Sequence, residues 1–269
     1  MKIVGAWTAI RRELEAAIDR LFALSPEDCV EYDSLLRPDE LDRLGYLRNF
    51  PHLGCLMCAI DEADLPAFAA GRRLDGGYAP SATRLGLLPA TCYKVYLERE
   101  GQTLTGPVRV GCSARCFRHE DKPLDRYRGY NFTMKEIVCL GTPEDARAHA
   151  EAGAARIERL MAALNVPFAF EAASDPFFDA SSSVAILSKA SPTKREAVVA
   201  GRAIASINLH RNYFGQKFGI RLAGAPVHTA CVAFGIERWI AMLQERFESP
   251  DAARARLAAI TPAAEPALA

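Results

Sequence analysis

The chain has 269 residues, half of them hydrophobic and a quarter charged, with 33 basic and 33 acidic side chains and no formal net charge. That is the composition of a soluble globular protein with a substantial core, and it argues against a disordered chain. No run of eighteen apolar residues is present, so no helical membrane span is expected, and the neutral balance lacks the overall basic character of a nucleic-acid binder.

The first 22 residues scatter charges through an apolar pattern and lack a signal-peptide core, so a cytoplasmic protein is expected. Ile10, Leu14, Ile18, Leu21 and Leu24 recur at helical spacing and predict an amphipathic helix over Ala6 to Leu24, ended by Ser25-Pro26. Pro38 to Leu47 reads as a short helix leading to Phe50-Pro51, and Gly71 to Ser81 as a glycine-rich loop. Three strand-like runs follow, Leu88 to Glu98, Val108 to His119 and Asn131 to Leu140. Thr142-Pro143-Glu144 opens a helix, with a good N-cap, a first-turn proline and an acid at the positive end, running to about Leu164 with Asn165 near its end. Phe168 to Ala172 reads as a strand and Asp179 to Lys194 as polar and irregular. Val199 to His210 and Cys231 to Phe234 are further strands, Gly235 to Phe247 a helix, and the final TPAAEPALA a disordered tail.

The densest chemistry lies between Cys116 and Gly141, two strands joined by a charged turn. The first ends in Arg118 and Glu120; the second starts near Phe132 and carries Glu136; Arg128, Phe132 and Glu136 stand four apart. Guanidiniums suit bidentate phosphate contacts, and a glutamate can accept from an adenine amino group. The same residues also fit a solvated hairpin of cross-strand ion pairs, each worth little. Ser206, Asn208 and His210 alternate with Ile207 and Leu209, so they share one strand face, which meets either a ligand or, on an edge strand, solvent. The eight cysteines are scattered and read as thiols or metal ligands. Cys55 and Cys58 form a CxxC with no second half, and Cys112 and Cys116 read as packing residues.

The Cys116 to Gly141 segment resembles motif 2 of the class II aminoacyl-tRNA synthetases, and CVAFGIERWIAML, from Cys231 to Leu243, resembles their motif 3. LLPATCYKVYLE, from Leu87, is similar to the Leu-x-Pro-Thr-x-Glu strand of seryl-tRNA synthetases, with Cys92 where Glu would stand. Cysteines at both places mark the atypical zinc-dependent seryl enzymes and their short bacterial relatives, the amino acid:[carrier protein] ligases. GYLRNFPHL, SDPFFD and SINLHRNYFG also resemble that bacterial family.

The resemblance implies an α/β (α+β) fold, an antiparallel sheet flanked by helices, as one catalytic domain over residues 1–250, with a short helix and disordered tail over 251–269. It implies ATP held by Arg118, Glu120, Arg128, Phe132, Glu237 and Arg238, with Arg118, Glu120 and Arg238 catalytic and Mg2+ on the phosphates. It implies Zn2+ on Cys92, Glu136 and Cys231, and an amino-acid pocket lined by Ser206, Asn208, His210 and Asp175, with Lys189 and Glu196 as weaker candidates. Only Lys194-Arg195-Glu196 resembles the family's Lys-x-Glu region, a departure that leaves the pocket wall open. The implied reaction activates glycine or alanine with ATP and passes it to the phosphopantetheine thiol of a carrier protein. A homodimer is implied, with Pro51 as the motif 1 proline at its contact, and no tRNA is expected because the N-terminal region is short and not basic overall. The alternatives are an atypical seryl-type tRNA synthetase and a non-catalytic amino-acid-binding paralogue.

Overall fold

The computed structural model describes residues 2–72, 80–182, 185, 186, 189 and 193–261, with 80–84 described by their backbone. In chain order the first elements are α1 (Trp7–Leu21), β1 (Cys29–Glu31), β2 (Leu35–Leu36), α2 (Pro38–Leu44), α3 (Tyr46–Asn49), β3 (Leu56–Ile60), α4 (Leu65–Ala69), β4 (Pro80–Leu87) and α5 (Cys92–Glu98). Then come β5 (Thr103–Leu104), β6 (Val108–Phe117), β7 (Asn131–Gly141), α6 (Pro143–Leu164), β8 (Ala169–Ala173), β9 (Lys194–Val199) and β10 (Arg202–Arg211). The last are α7 (Tyr213–Lys217), β11 (Arg221–Leu222), β12 (Ala225–Pro226), β13 (His228–Gly235), α8 (Ile236–Arg246) and α9 (Pro250–Ala258).

A seven-stranded sheet, ordered β1-β6-β7-β13-β10-β9-β8, carries the fold. Every pairing in it is antiparallel except that of β1 with β6. Two three-stranded sheets, β12-β11-β5 and β2-β4-β3, flank it. Strand alternation splits the core in two. Ile137, Val232 and Phe234 face back, where the apolar stripes of α1, α6, α8 and α9 cover them. Cys112, Cys116, Val138 and Cys231 face front, against α2, α5 and α7.

α6 follows its sequence signals closely. Thr142 Oγ1 accepts from the Asp145 amide at 3.2 Å, Asp145 Oδ2 accepts from the Thr142 amide at 2.8 Å, and Asn165 closes the helix in the left-handed region at φ +51°. α1 buries Ile10, Leu14, Ile18 and Leu21, four of the five residues its periodicity singles out, and ends at Leu21, short of the partly buried Leu24.

Two expectations need correction. Leu88 to Glu98 is not a strand: β4 ends at Leu87, Pro89 follows, and α5 starts at Cys92. Its aromatic and β-branched composition reads as strand, but its buried residues Cys92, Val95 and Tyr96 stand at helical spacing. The strand expected over Val199 to His210 is β10, which starts later, at Arg202, because Val199 ends a separate strand, β9. β9 starts at Lys194 and turns back into β10 through Ala200 and Gly201, at φ +47° and +74°, a two-residue hairpin with both central residues left-handed.

Of the expected Gly71 to Ser81 loop, residues 73–79 lie outside the described residues, and Pro80 and Ser81 belong to β4. In the Asp179 to Lys194 stretch, residues 183, 184, 187, 188 and 190–192 lie outside them, as do 262–269 of the tail. α9 packs Ala253 and Leu257 into the same back core as α1. Pro51 opens a single 3-10 turn in the front layer, just before β3, whereas the helix, proline and main-sheet strand that follow one another in the chain are α1, Pro26 and β1.

Candidate active site

The register of the main sheet assembles the site. Ser206 lies opposite Ala233, Ala233 opposite Glu136, and Glu136 opposite Cys112, one row across four strands. In the next row Lys194 faces Asn208, Asn208 faces Cys231, and Cys231 faces Val138. Directly opposed residues point to the same face. Glu136, Cys231, Ser206, Asn208, Lys194 and Glu196 therefore share the front face, although they come from four strands.

Cys92 completes a cluster with Glu136 and Cys231, their ligand atoms all within 4.8 Å of one another and the residues 4%, 1% and 2% exposed. Glu136 Oε1 accepts from the amides of Thr91 at 2.9 Å and Cys92 at 3.2 Å, which fixes the start of α5 against β7. The hydrogen bond to Cys231 pushes the Cys92 thiol well above the usual range, with burial and the Glu136 carboxylate adding to the push. In Cys231 the bond from Cys92 works to lower the thiol's value, but burial and Glu136 outweigh it. Two buried thiols beside a carboxylate resist ionising, and a dication would relieve that resistance. The donor set is chemically sound for Zn2+, three protein ligands with a fourth position open.

Polar groups frame this cluster. Asn208 Nδ2 donates to Cys231 Sγ at 3.3 Å and to Ser206 Oγ at 3.2 Å. His210 stands behind, its Nδ1 3.2 Å from Thr229 Oγ1 and 3.3 Å from the Tyr96 hydroxyl, its Nε2 3.9 Å from Cys231 Sγ. Burial pulls His210 down to about 4, so it is neutral at ordinary pH. Asp175 reaches Lys194 at 2.8 Å, and Lys194 also holds Glu196 at 3.1 Å. Burial works to raise the Asp175 carboxyl, but Lys194, Arg118 and His210 together hold it below its ordinary value. Lys189 stands exposed.

Beside this lies a concentration of arginines. Arg118, just past β6, donates from Nε to the Pro89 carbonyl at 3.0 Å and lies 5.2 Å from the centre of the Phe132 ring. Arg128 is paired with Glu120. Arg238, in the first turn of α8, donates to the carbonyls of Tyr127 at 3.0 Å and Ala203 at 2.8 Å. Burial, then Arg118 and Arg128, weaken Arg238's hold on its proton, and Glu120 and Glu196 only partly offset them. Guanidiniums gathered near the start of a helix are an arrangement suited to an anion such as a polyphosphate.

Glu237 does not join them. It faces the back layer, where its carboxylate accepts from the Thr133 amide at 2.7 Å, the Thr133 hydroxyl at 3.0 Å and Arg115 at 2.6 Å. With three donors already bound to it, Glu237 anchors α8 to β6 and β7. Lys194, named in the sequence only as part of the Lys194-Arg195-Glu196 resemblance and not as a pocket residue, stands in the front row. The signal was available: Lys194 and Glu196 alternate with the period of a strand. The amides of Thr91 and Cys92 that hold Glu136 leave no side-chain signal to find.

No protein-family model matches this chain. It is 34% identical over 245 residues to amino acid--[acyl-carrier-protein] ligase 1 of Bradyrhizobium diazoefficiens, covering 83% of this chain and 74% of that protein. It is 33% identical over 229 residues to ligase 2 of the same organism, covering 78% of this chain and 67% of that protein. Among solved structures it is similar to M. kandleri SerRS, seen in complex with A. aeolicus tRNASec, with a TM-score of 0.76 at 16% identity over 94% of this chain. It is also similar to seryl-tRNA synthetase from Pyrococcus horikoshii complexed with ATP, with a TM-score of 0.64 at 14% identity over 97% of this chain. The chain spans 55% and 58% of those two synthetase chains. The structural likeness establishes the fold, one shared with the seryl-tRNA synthetases, and the sequence likeness establishes more: the chain belongs to the amino acid--[acyl-carrier-protein] ligase family.

Proposed function

We propose that the chain activates a small amino acid, glycine or alanine, with ATP and passes the aminoacyl group to the phosphopantetheine thiol of a carrier protein. The observation that carries this reading is the buried Cys92–Glu136–Cys231 cluster on the same sheet face as Asn208 and beside the Arg118, Arg128 and Arg238 group.

Arg118, Arg128 and Arg238 hold the triphosphate and spread its charge, and Phe132 offers its ring to the adenine. Glu120 keeps Arg128 in place until the nucleotide arrives. Mg2+ enters with the phosphates, and no residue of the chain is assigned to it. Cys92, Glu136 and Cys231 would hold Zn2+, which would supply a Lewis acid suited to a neutral amine and not to an ammonium. Asn208 and Ser206 orient the amino acid so that its carboxylate faces the α-phosphorus. Its oxygen forms the new P–O bond as the bond to pyrophosphate breaks. The carboxylate is already ionised, so no general base is required, and positioning and electrostatics provide the rate. In the second step the carrier thiol attacks the carbonyl carbon and AMP leaves with the anhydride oxygen. The enzyme is expected to work in the cytoplasm as a homodimer; its eight free cysteines suit a reducing compartment.

The test is amino-acid-dependent ATP–pyrophosphate exchange across the twenty amino acids, with metal analysis of the same sample. Exchange with glycine or alanine and one zinc per chain supports the reading. Silence across all twenty in a folded, zinc-loaded sample sinks it. Transfer of label to a phosphopantetheinylated carrier, set against transfer to tRNA, then separates the ligase from a synthetase.

A further inference from the structure

Tyr46 brings a polar group into the front layer and gives it nothing to bond. It opens α3 directly after Gly45, where the chain turns through the left-handed region at φ +71°. The residue is 6% exposed, and among the described residues its hydroxyl has no hydrogen-bond partner. A buried hydroxyl left unpaired is a cost in stability, and native proteins keep few of them. The ring is also held in place. Its centre lies 5.4 Å from that of Phe50 and 6.1 Å from that of Tyr93, and Phe50 in turn lies 5.0 Å from Phe177. The phenol cannot swing out to water without giving up these contacts.

Its surroundings are those of the site. Of the charges that act on the Tyr46 phenol, Arg118 comes first, and Asp175 is among the others. Of those that act on Arg118, Tyr46 comes first. Tyr93, the ring neighbour, follows Cys92 in the chain and feels Cys92, Tyr46, Asp175 and Arg118 together. The idle hydroxyl thus shares the space of Arg118 and Asp175, with the Cys92 cluster one ring away. Burial pushes the phenol up to about 12 against the pull of Arg118, so it keeps its proton and is able to donate.

A group that satisfies a neutral O–H donor and a guanidinium at once is an anionic oxygen. The site offers two kinds, phosphate and carboxylate. Arg128 and Arg238 are not among the charges that act most on the phenol, which sets Tyr46 apart from the rest of the arginine group. An amino acid whose amine is taken at the Cys92 cluster carries its carboxylate one carbon away, on the scale of the step from that cluster past Tyr93.

We propose that the Tyr46 hydroxyl is a substrate contact, donating to the carboxylate of the amino acid and holding it beside Arg118. The inference rests on the amino-acid activation proposed for this site.

Tyr46→Phe removes the hydroxyl and keeps the ring. Zinc-loaded wild type and variant are compared by ATP–pyrophosphate exchange, thermal melting and metal analysis. The variant should keep its zinc and melt no lower than the wild type, since the lost group bonds nothing in the free protein. Its amino-acid KM should rise on the order of 10- to 100-fold, with kcat and the ATP KM near their original values. The amine of the same skeleton without a carboxylate should inhibit both proteins equally. An unchanged amino-acid KM overturns the proposal while exchange in both proteins leaves the activation reading standing. A drop in melting temperature without a change in that KM marks a purely structural hydroxyl and also overturns it, as does a rise confined to the ATP KM or an amine that inhibits the variant less. Wild-type silence with every amino acid removes the activation reading, and the role of Tyr46 with it.

Discussion

The two faces of the seven-stranded sheet are made from the same strands, residue by alternate residue, yet they compensate charge to different degrees. On the back face the buried groups Lys135, Glu237 and His149 are each met by a partner. Lys135 reaches Asp19 at 2.7 Å, and Glu237 is held by Arg115 and Thr133. His149 lies 3.0 Å from the Ile137 carbonyl. On the front face Lys194 is paired with Asp175 and Glu196, and Arg128 with Glu120, but among the described residues Arg118 and Arg238 donate to backbone carbonyls alone, and two thiols crowd a carboxylate. A protein keeps such uncompensated groups together at a cost in stability when a ligand is to supply the missing charge. The lesson is that a charged residue's role follows from the face it occupies, even for neighbours in sequence such as Glu237 and Arg238.

The sharpest way to break this comparison is Arg238→Ala. It removes a front-face cation and should lower pyrophosphate exchange on the order of 1000-fold, with little change in melting temperature. Unchanged exchange refutes the phosphate role. Next, Cys231→Ala and Glu136→Ala should each weaken zinc binding on the order of 100-fold and raise the amino-acid KM together with it. Zinc still at one per chain in both variants would dissolve the metal site.

A back-face prediction concerns pH. Burial pulls His149 down to about 4. Between that value and the unfolded one of about 6.5, the unfolded chain binds the extra proton. The stability due to neutral His149 is therefore complete above about pH 6.5 and is lost as the pH falls to 4, amounting to about 3 kcal/mol. Melting curves of the wild type and His149→Gln across that window check this, and parallel pH profiles for the two proteins contradict it. The smallest effect belongs to Glu237→Gln, which should cost about 2 kcal/mol of stability while leaving the ATP KM near its original value. A large rise in that KM with unchanged stability would return Glu237 to the nucleotide site.

Much of this molecule was legible in the chain. α6 carries its own start and stop in Thr142, Pro143 and Asn165, and local backbone chemistry fixes such ends without help from the rest of the fold. β6 and β7 were readable for a similar reason: their residues alternate in place, and the turn between them is dense in charge. Leu88 to Glu98 was misread because its local composition favours a strand, while packing at positions 92, 95 and 96 favours a helix.

The candidate site divides the same way. The sequence by itself determined the residue types: which arginines, cysteines and glutamates are available, and through motif resemblance which of them belong together. Only the tertiary structure decided that Cys92, Glu136 and Cys231 converge, that Lys194 joins Asn208 in one row, and that Glu237 turns away from Arg238. The physical reason is that strand register is a long-range property. A single-residue slip between β7 and β13 would send Glu136 or Cys231 to the opposite face, and no local propensity records which register the packed core selects.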